Sequence, residues 1–165
     1  MRKFAIVVYA VVAVVAAVII LSMLLGQSAD TNYSVPVGTV TLSVNSDILL
    51  DNMHLLGRDM HEFVPEYGIM FPETVVPLYE GDSVFDVLQR EMRKEGIHMA
   101  FQMIPVYNMA FIESIGNIST LDTKPMSGWQ YRVNGQNTEM GASHYILAPD
   151  DIVEWRFMLD FNDEW

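Results

Sequence analysis

Three short stretches of the chain carry residues whose types and spacing suit the binding of a small molecule. The first is SGWQYRVNG, residues 127–135. As a strand it puts Trp129, Tyr131 and Val133 on one face and Gln130, Arg132 and Asn134 on the other, because side chains alternate along extended backbone. Such an aromatic face either packs on a core or stacks on a flat ligand, and the spacing leaves both open. Ser127 and Gly128 stand at the strand entrance, where Gly128, with no Cβ, would let a flat ligand approach the backbone. The second stretch is GASHYILAPDD, residues 141–151. Gly141, Ala142 and Ser143 are small enough to present backbone groups to a ligand, and Tyr145 is a rim or core aromatic. His144 has the chemistry to ligate a metal ion, although a lone histidine is more ordinarily a surface residue. The third is AFIESIGNI, residues 110–118. Its alternation sets Phe111, Glu113 and Ile115 on one face and Ile112 and Ser114 on the other, before a Gly116-Asn117 turn.

Reaction chemistry finds no comparable support. The chain has no cysteine, which excludes a thiolate metal site, a cysteine nucleophile and any disulfide. His54 and His61 are too far apart for the i,i+4 zinc pattern, and no G-x-S-x-G, P-loop or G-x-G-x-x-G occurs. The DFNDEW segment lacks the glycine and ligand spacing of a calcium loop. The sequence therefore predicts no catalytic residue, no bound metal and no required cofactor. A net charge of −12 makes nucleic acid and anionic lipid poor partners.

The elements that must position these stretches follow from periodicity. VTLSV (Val40 to Val44) alternates as a strand, residues 45–68 have broken periodicity with helical character before Pro65, and GIMFPETVVPLYEG is extended, with Pro72 and Pro77 confining it to a sheet edge. GDSVFDVLQREMRKEG is the clearest helix. Ser83 and Asp86 form a capping box, Asp86 and Arg90 an i,i+4 pair, and Gly96 a C-terminal cap. Val84, Val87, Leu88, Glu91 and Met92 form its inward stripe. HMAFQMI, MAFIESI, GWQYRVNG, SHYIL and DIVEWRFML read as strands, the Asn134-Gly135 pair as a hairpin turn, and Asp150-Asp151 as a turn. One helix among several strands predicts an α+β domain with the helix on one sheet face, of which a β-grasp arrangement is the natural form.

Ahead of this domain, Arg2 and Lys3 precede an uncharged apolar run from Phe4 to Leu25, about 22 residues and roughly 33 Å as a helix, enough to cross a bilayer. The expected organisation is a signal anchor or transmembrane helix over residues 1–26, a stem over 27–37 and the domain over 38–165. Basic residues before the span favour an N-inside orientation, which puts the domain outside the cell, or secretes it if the segment is cleaved.

The order of motifs in the domain resembles a known family. EGDSVFDVLQ, then YNMAFIESIGNI, then SGWQYRVNG, then GASHYILAPDDIVEWRF is similar to the transcobalamin-like C-terminal domain, a module of exported Gram-positive proteins grouped among domains of unknown function (DUF4430). The resemblance covers roughly residues 38–165. It implies a β-grasp-like, soluble-ligand-binding fold and a cobalamin or other corrinoid as ligand. It also implies that the Trp129 region and the strand holding Tyr107, Phe111 and Ser114 lie near that ligand. In the animal cobalamin carriers the corresponding domain closes over the vitamin opposite a larger helical domain, for which these residues offer no counterpart; the expected partner is then a transporter or a second ligand-binding subunit. The expected function is a non-catalytic, membrane-anchored ligand-binding module. The alternative is a cell-surface interaction module for a partner protein or cell-wall glycan, since exposed aromatics serve those surfaces too.

Overall fold

The computed structural model describes residues 35–120 and 122–162. The anchor and most of the stem expected from the sequence lie outside that range; among the described residues no helix is long and apolar enough to cross a membrane. The described chain is α+β, as the sequence predicts: mostly strands, with one main helix.

Eight strands among the described residues form two sheets. β1 (Gly38–Asn45), β2 (Ile69–Leu78), β6 (Gly128–Val133), β7 (Gln136–Asn137) and β8 (Ile152–Met158) build the larger, in the order β2-β1-β8-β6-β7. β3 (Met99–Ile104), β4 (Met109–Ile115) and β5 (Ile118–Ser119) build the smaller, in that order. β8 lies between β1, which it meets in parallel with Val44 opposite Trp155, and β6, which it meets antiparallel with Tyr131 opposite Trp155. β2 holds an edge, as Pro72 and Pro77 require. The irregular stretch between β1 and β2 forms three short 3-10 helices, Asp47–Leu49, Met53–Leu55 and Arg58–Phe63. At its end Gly68 has φ +68° and its α-carbon lies against the Asp47 backbone, so no side chain fits there.

Alternation builds the core. Val40, Leu42 and Val44 of β1 and Val153, Trp155 and Phe157 of β8 are all buried. They share it with Val84, Val87, Leu88 and Met92 of the helix α1 (Val84–Lys94). Glu91, on the same stripe, is only 1% exposed; its carboxylate meets Lys94 at 3.1 Å, which carries the charge to the surface. The hairpin turn after β6 has Asn134 at φ 53° and Gly135 at φ 72°, as an Asn-Gly turn needs.

The capping box at α1 is complete: the Asp86 amide donates to Ser83 Oγ at 3.2 Å and the Ser83 amide donates to the Asp86 carboxylate at 2.9 Å. The expected Asp86–Arg90 pair does not form, because Asp86 is held by the cap; Arg90 reaches Asp82 instead, at 2.8 Å. Ser83→Ala should cost about 1 kcal/mol of stability, within the usual range for a lost helix cap, measured by urea denaturation. An unchanged midpoint would mean that the box contributes nothing net.

The expected strand at SHYIL is corrected. Only an isolated bridge joins Ile146 to Ser83. The amides of Val84 and Phe85, in the first turn of α1, have no partner within the helix; they donate to the carbonyls of Tyr145 and Ala142, each at 3.0 Å. The segment is bent around the helix end and cannot run as a strand. The expectation of one sheet is corrected too. β3, β4 and β5 pair only with one another, with a register shift between Ala100 and Phe101 of β3, and form a second sheet.

Candidate functional site

The outer face of the smaller sheet is concave. Its cleft, of about 440 Å³, is lined by His98, Ala100, Phe111, Glu113, Ser114, Asn117, Ser119 and Thr120. Strand alternation explains the place of Phe111 and Glu113, while Ser114 reaches the cleft from the buried set. On β4, Ala110, Ile112 and Ser114 are buried while Phe111 is 39% exposed and Glu113 is exposed. On β3, Phe101 turns the other way and meets Phe85 of α1 edge-on at 4.8 Å between ring centres. The helix thus covers one face of this sheet and leaves the other open. Asn117, at φ 66°, makes the tight β4–β5 turn that brings Ser119 and Thr120 beside β4. The turn is tied down by the Gly116 amide on the His98 carbonyl at 2.8 Å and the Thr120 amide on the Glu113 carbonyl at 2.9 Å.

The cleft has an apolar floor in Ala100 and Phe111 and a polar margin of hydroxyl, amide, imidazole and carboxylate groups. Ligand sites are built in this way, with an apolar wall for area and a few polar groups for orientation. Among the described residues no Lys or Arg lines it.

Of the residues expected from the sequence, Phe111 and Ser114 line this cleft. Ser127 and Gly128 stand behind its Thr120 wall. The buried Ser127 hydroxyl reaches the Thr120 carbonyl at 2.8 Å, and a Cβ on Gly128 would meet the Thr120 methyl at 3.1 Å and the Phe161 ring at 2.6 Å. The space that Gly128 leaves is therefore filled by Phe161, which corrects the expectation that a ligand uses it. Trp129 also lies behind the cleft. It is 6% exposed, its ring stands edge-on to Phe157 at 5.4 Å, and its indole N–H donates to the Ile118 carbonyl at 2.9 Å. The expectation that Trp129 faces a ligand at the sheet rim is therefore corrected: the ring belongs to the core, and from there it fixes β5, which carries the lining residue Ser119 and leads into Thr120. One edge of Trp129 reaches a second hollow of about 330 Å³, shared with Gln130, Tyr131, Asn137, Thr138 and Phe161.

The remaining expected residues are not brought to the cleft. Gly141 packs directly on Met109, the Ala142 carbonyl caps α1, and the Ser143 hydroxyl accepts from the Ala110 amide at 3.1 Å. These are fold-building contacts, which corrects the expectation that this loop offers its backbone to a ligand. Tyr145 meets Tyr131 edge-on at 6.4 Å, and Tyr131 lies on Trp155 at 5.2 Å. Burial pushes the Tyr131 phenol up to about 12, so it stays protonated and donates to the Met140 carbonyl. Tyr107 is exposed at the tip of the β3–β4 hairpin. His98, Ala100, Asn117, Ser119 and Thr120 were not read from the sequence. Nothing in their types marks them; only the pairing of β3, β4 and β5 gathers them. Glu113 had a signal, since alternation put it on the Phe111 face.

Comparison with known proteins bears out the family resemblance. Residues 81–158 match the family described as "Domain of unknown function (DUF4430)". Among solved structures, the crystal structure of haptocorrin in complex with Cbi is similar, with a TM-score of 0.54 and 14% identity over 82% of this chain and 28% of that one. The chain thus spans less than a third of that chain's length, and the likeness is one of fold. No curated protein matches.

Proposed function

We propose that this chain, which carries a transcobalamin-like domain, is a non-catalytic ligand-binding module outside the cell, held by the apolar N-terminal segment, and that its ligand is a corrinoid such as cobalamin. The domain is of β-grasp type in this reading. The cleft on β3, β4 and β5 carries the proposal: a flat macrocycle lays one face on Ala100 and Phe111 while its margin meets Glu113, Asn117, Ser119 and Thr120. The ligand bound by haptocorrin supports the choice of a corrinoid. The cleft is open, so a ligand of that size keeps its other face free. A second subunit or a transporter would cover it, which adds the affinity that one open face lacks.

The test is equilibrium dialysis of the full chain in detergent against cyanocobalamin. Saturable binding is expected, and Phe111→Ala should weaken it by roughly 30-fold, as loss of a hot-spot aromatic does. Phe111 is partly exposed, so that variant should keep its melting temperature. Absence of binding at millimolar cyanocobalamin would overturn the corrinoid reading. Val106 at 85% and Tyr107 at 69% exposure favour a second reading, in which the β3–β4 tip docks on a partner protein.

A further inference from the structure

Glu113 is the charged side chain of the cleft that folding does not use. It sits on the open face of β4, between the half-exposed Phe111 and the turn at Asn117. Its neighbours Ile112 and Ser114 are buried, Ser114 reaching the cleft wall. Among the described residues its carboxylate has no ion pair and no hydrogen bond, whereas Glu91, Glu154 and Asp47 are each paired with a base. Among the described residues no Lys or Arg lines the cleft, and His98 is the one lining residue able to carry positive charge. The chain as a whole is acidic, at −12.

Resting on the corrinoid reading, we infer that Glu113 makes the cleft selective for ligands whose margin carries carboxamides, against the same ligands carrying carboxylates. An ionised carboxylate only accepts hydrogen bonds, and a primary amide offers two N–H donors to it. Such a bond is charge-assisted and stronger than a neutral one. A ligand carboxylate in the same place has no hydrogen to give and meets a like charge, with no arginine or lysine to compensate. The two ligands differ little in shape, so the discrimination comes from Glu113 rather than from fit. Sites that recognise an N–H donor through a fixed acceptor discriminate in this way. In such a domain the cleft takes up the fully amidated macrocycle and leaves behind its hydrolysed, acidic forms.

The experiment compares cyanocobalamin with its three monocarboxylic acids, each having one propionamide hydrolysed, by equilibrium dialysis with the full chain in detergent. It is run at about pH 8, where an ordinary imidazole is neutral. At least one monocarboxylate should bind about tenfold or more weakly than the amide. In Glu113→Gln that ratio should fall to about twofold or less while cyanocobalamin still binds, and in Glu113→Lys it should invert. Melting curves check that both variants fold; an exposed, unpaired side chain predicts that they do. Equal binding of all four ligands by the unaltered chain would overturn the inference and leave the corrinoid reading standing. A preference that survives Glu113→Gln would do the same. If neither cyanocobalamin nor any monocarboxylate binds, the corrinoid reading falls and the selectivity with it.

Discussion

Trp129→Ala should destabilise the domain by about 3–5 kcal/mol, the range for removing a large buried aromatic. Two losses add. The ring leaves a cavity beside Phe157, on which it packs edge-on, and the Ile118 carbonyl loses its indole donor. A buried carbonyl left without a partner carries its own desolvation cost, about 1–3 kcal/mol. Trp129→Phe separates the two, since it restores most of the packing and none of the hydrogen bond, and should cost distinctly less. Urea denaturation followed by far-UV circular dichroism gives both values. A loss under about 1 kcal/mol for Trp129→Ala would return the ring to the surface as a ligand contact. The same substitution frees β5, so Ser119 and Thr120 should lose their place in the cleft even where the domain still folds.

Leu88→Ala should cost about 2–5 kcal/mol, because Leu88 is fully buried at the centre of the α1 stripe and its neighbours cannot close the space. Arg93 lies on the same helix, faces solvent and has no ion pair among the described residues. Arg93→Ala should change stability by under about 0.5 kcal/mol. Equal losses would mean that the helix does not pack as described. The pair reads one physical quantity, the burial of a helix face, with helix propensity nearly held constant.

Local order was legible in the sequence wherever one physical rule governed it. The α1 stripe, its capping box, the Asn134-Gly135 turn and the alternation of β1, β4, β6 and β8 each follow from spacing within a few residues. Even the buried Glu91 was visible, because the stripe passes through it. What failed depends on contacts distant in the chain. Nothing near Gly128 says that Phe161 will fill the space beside it. Nothing near Ala142 says that its carbonyl will be claimed by the amide of Phe85. The Asp86–Arg90 pair was a sound local expectation that lost to two stronger local partners, Ser83 for Asp86 and Asp82 for Arg90. The cleft followed the same division. Phe111 and Ser114 came from the family resemblance; alternation accounts for Phe111 on the open face but sets Ser114 on the opposite one. Asn117, Ser119 and Thr120 are ordinary turn residues that acquire a role only when β5 folds back on β4.

The place of β8 has a consequence in time. It is the last of the described strands, yet it lies between β1 and β6, and its parallel pairing with β1 joins residues more than a hundred positions apart. Until residues 152–158 are available, β1 and β2 can form a two-stranded ribbon, which is barely stable alone, and β6 has only the two-residue β7 beside it. The larger sheet therefore cannot assemble progressively as the ribosome delivers the chain. The larger sheet thus stays open, and its segments remain extensible, until residues 152–158 have been made, and it gains its order in one step once they are available.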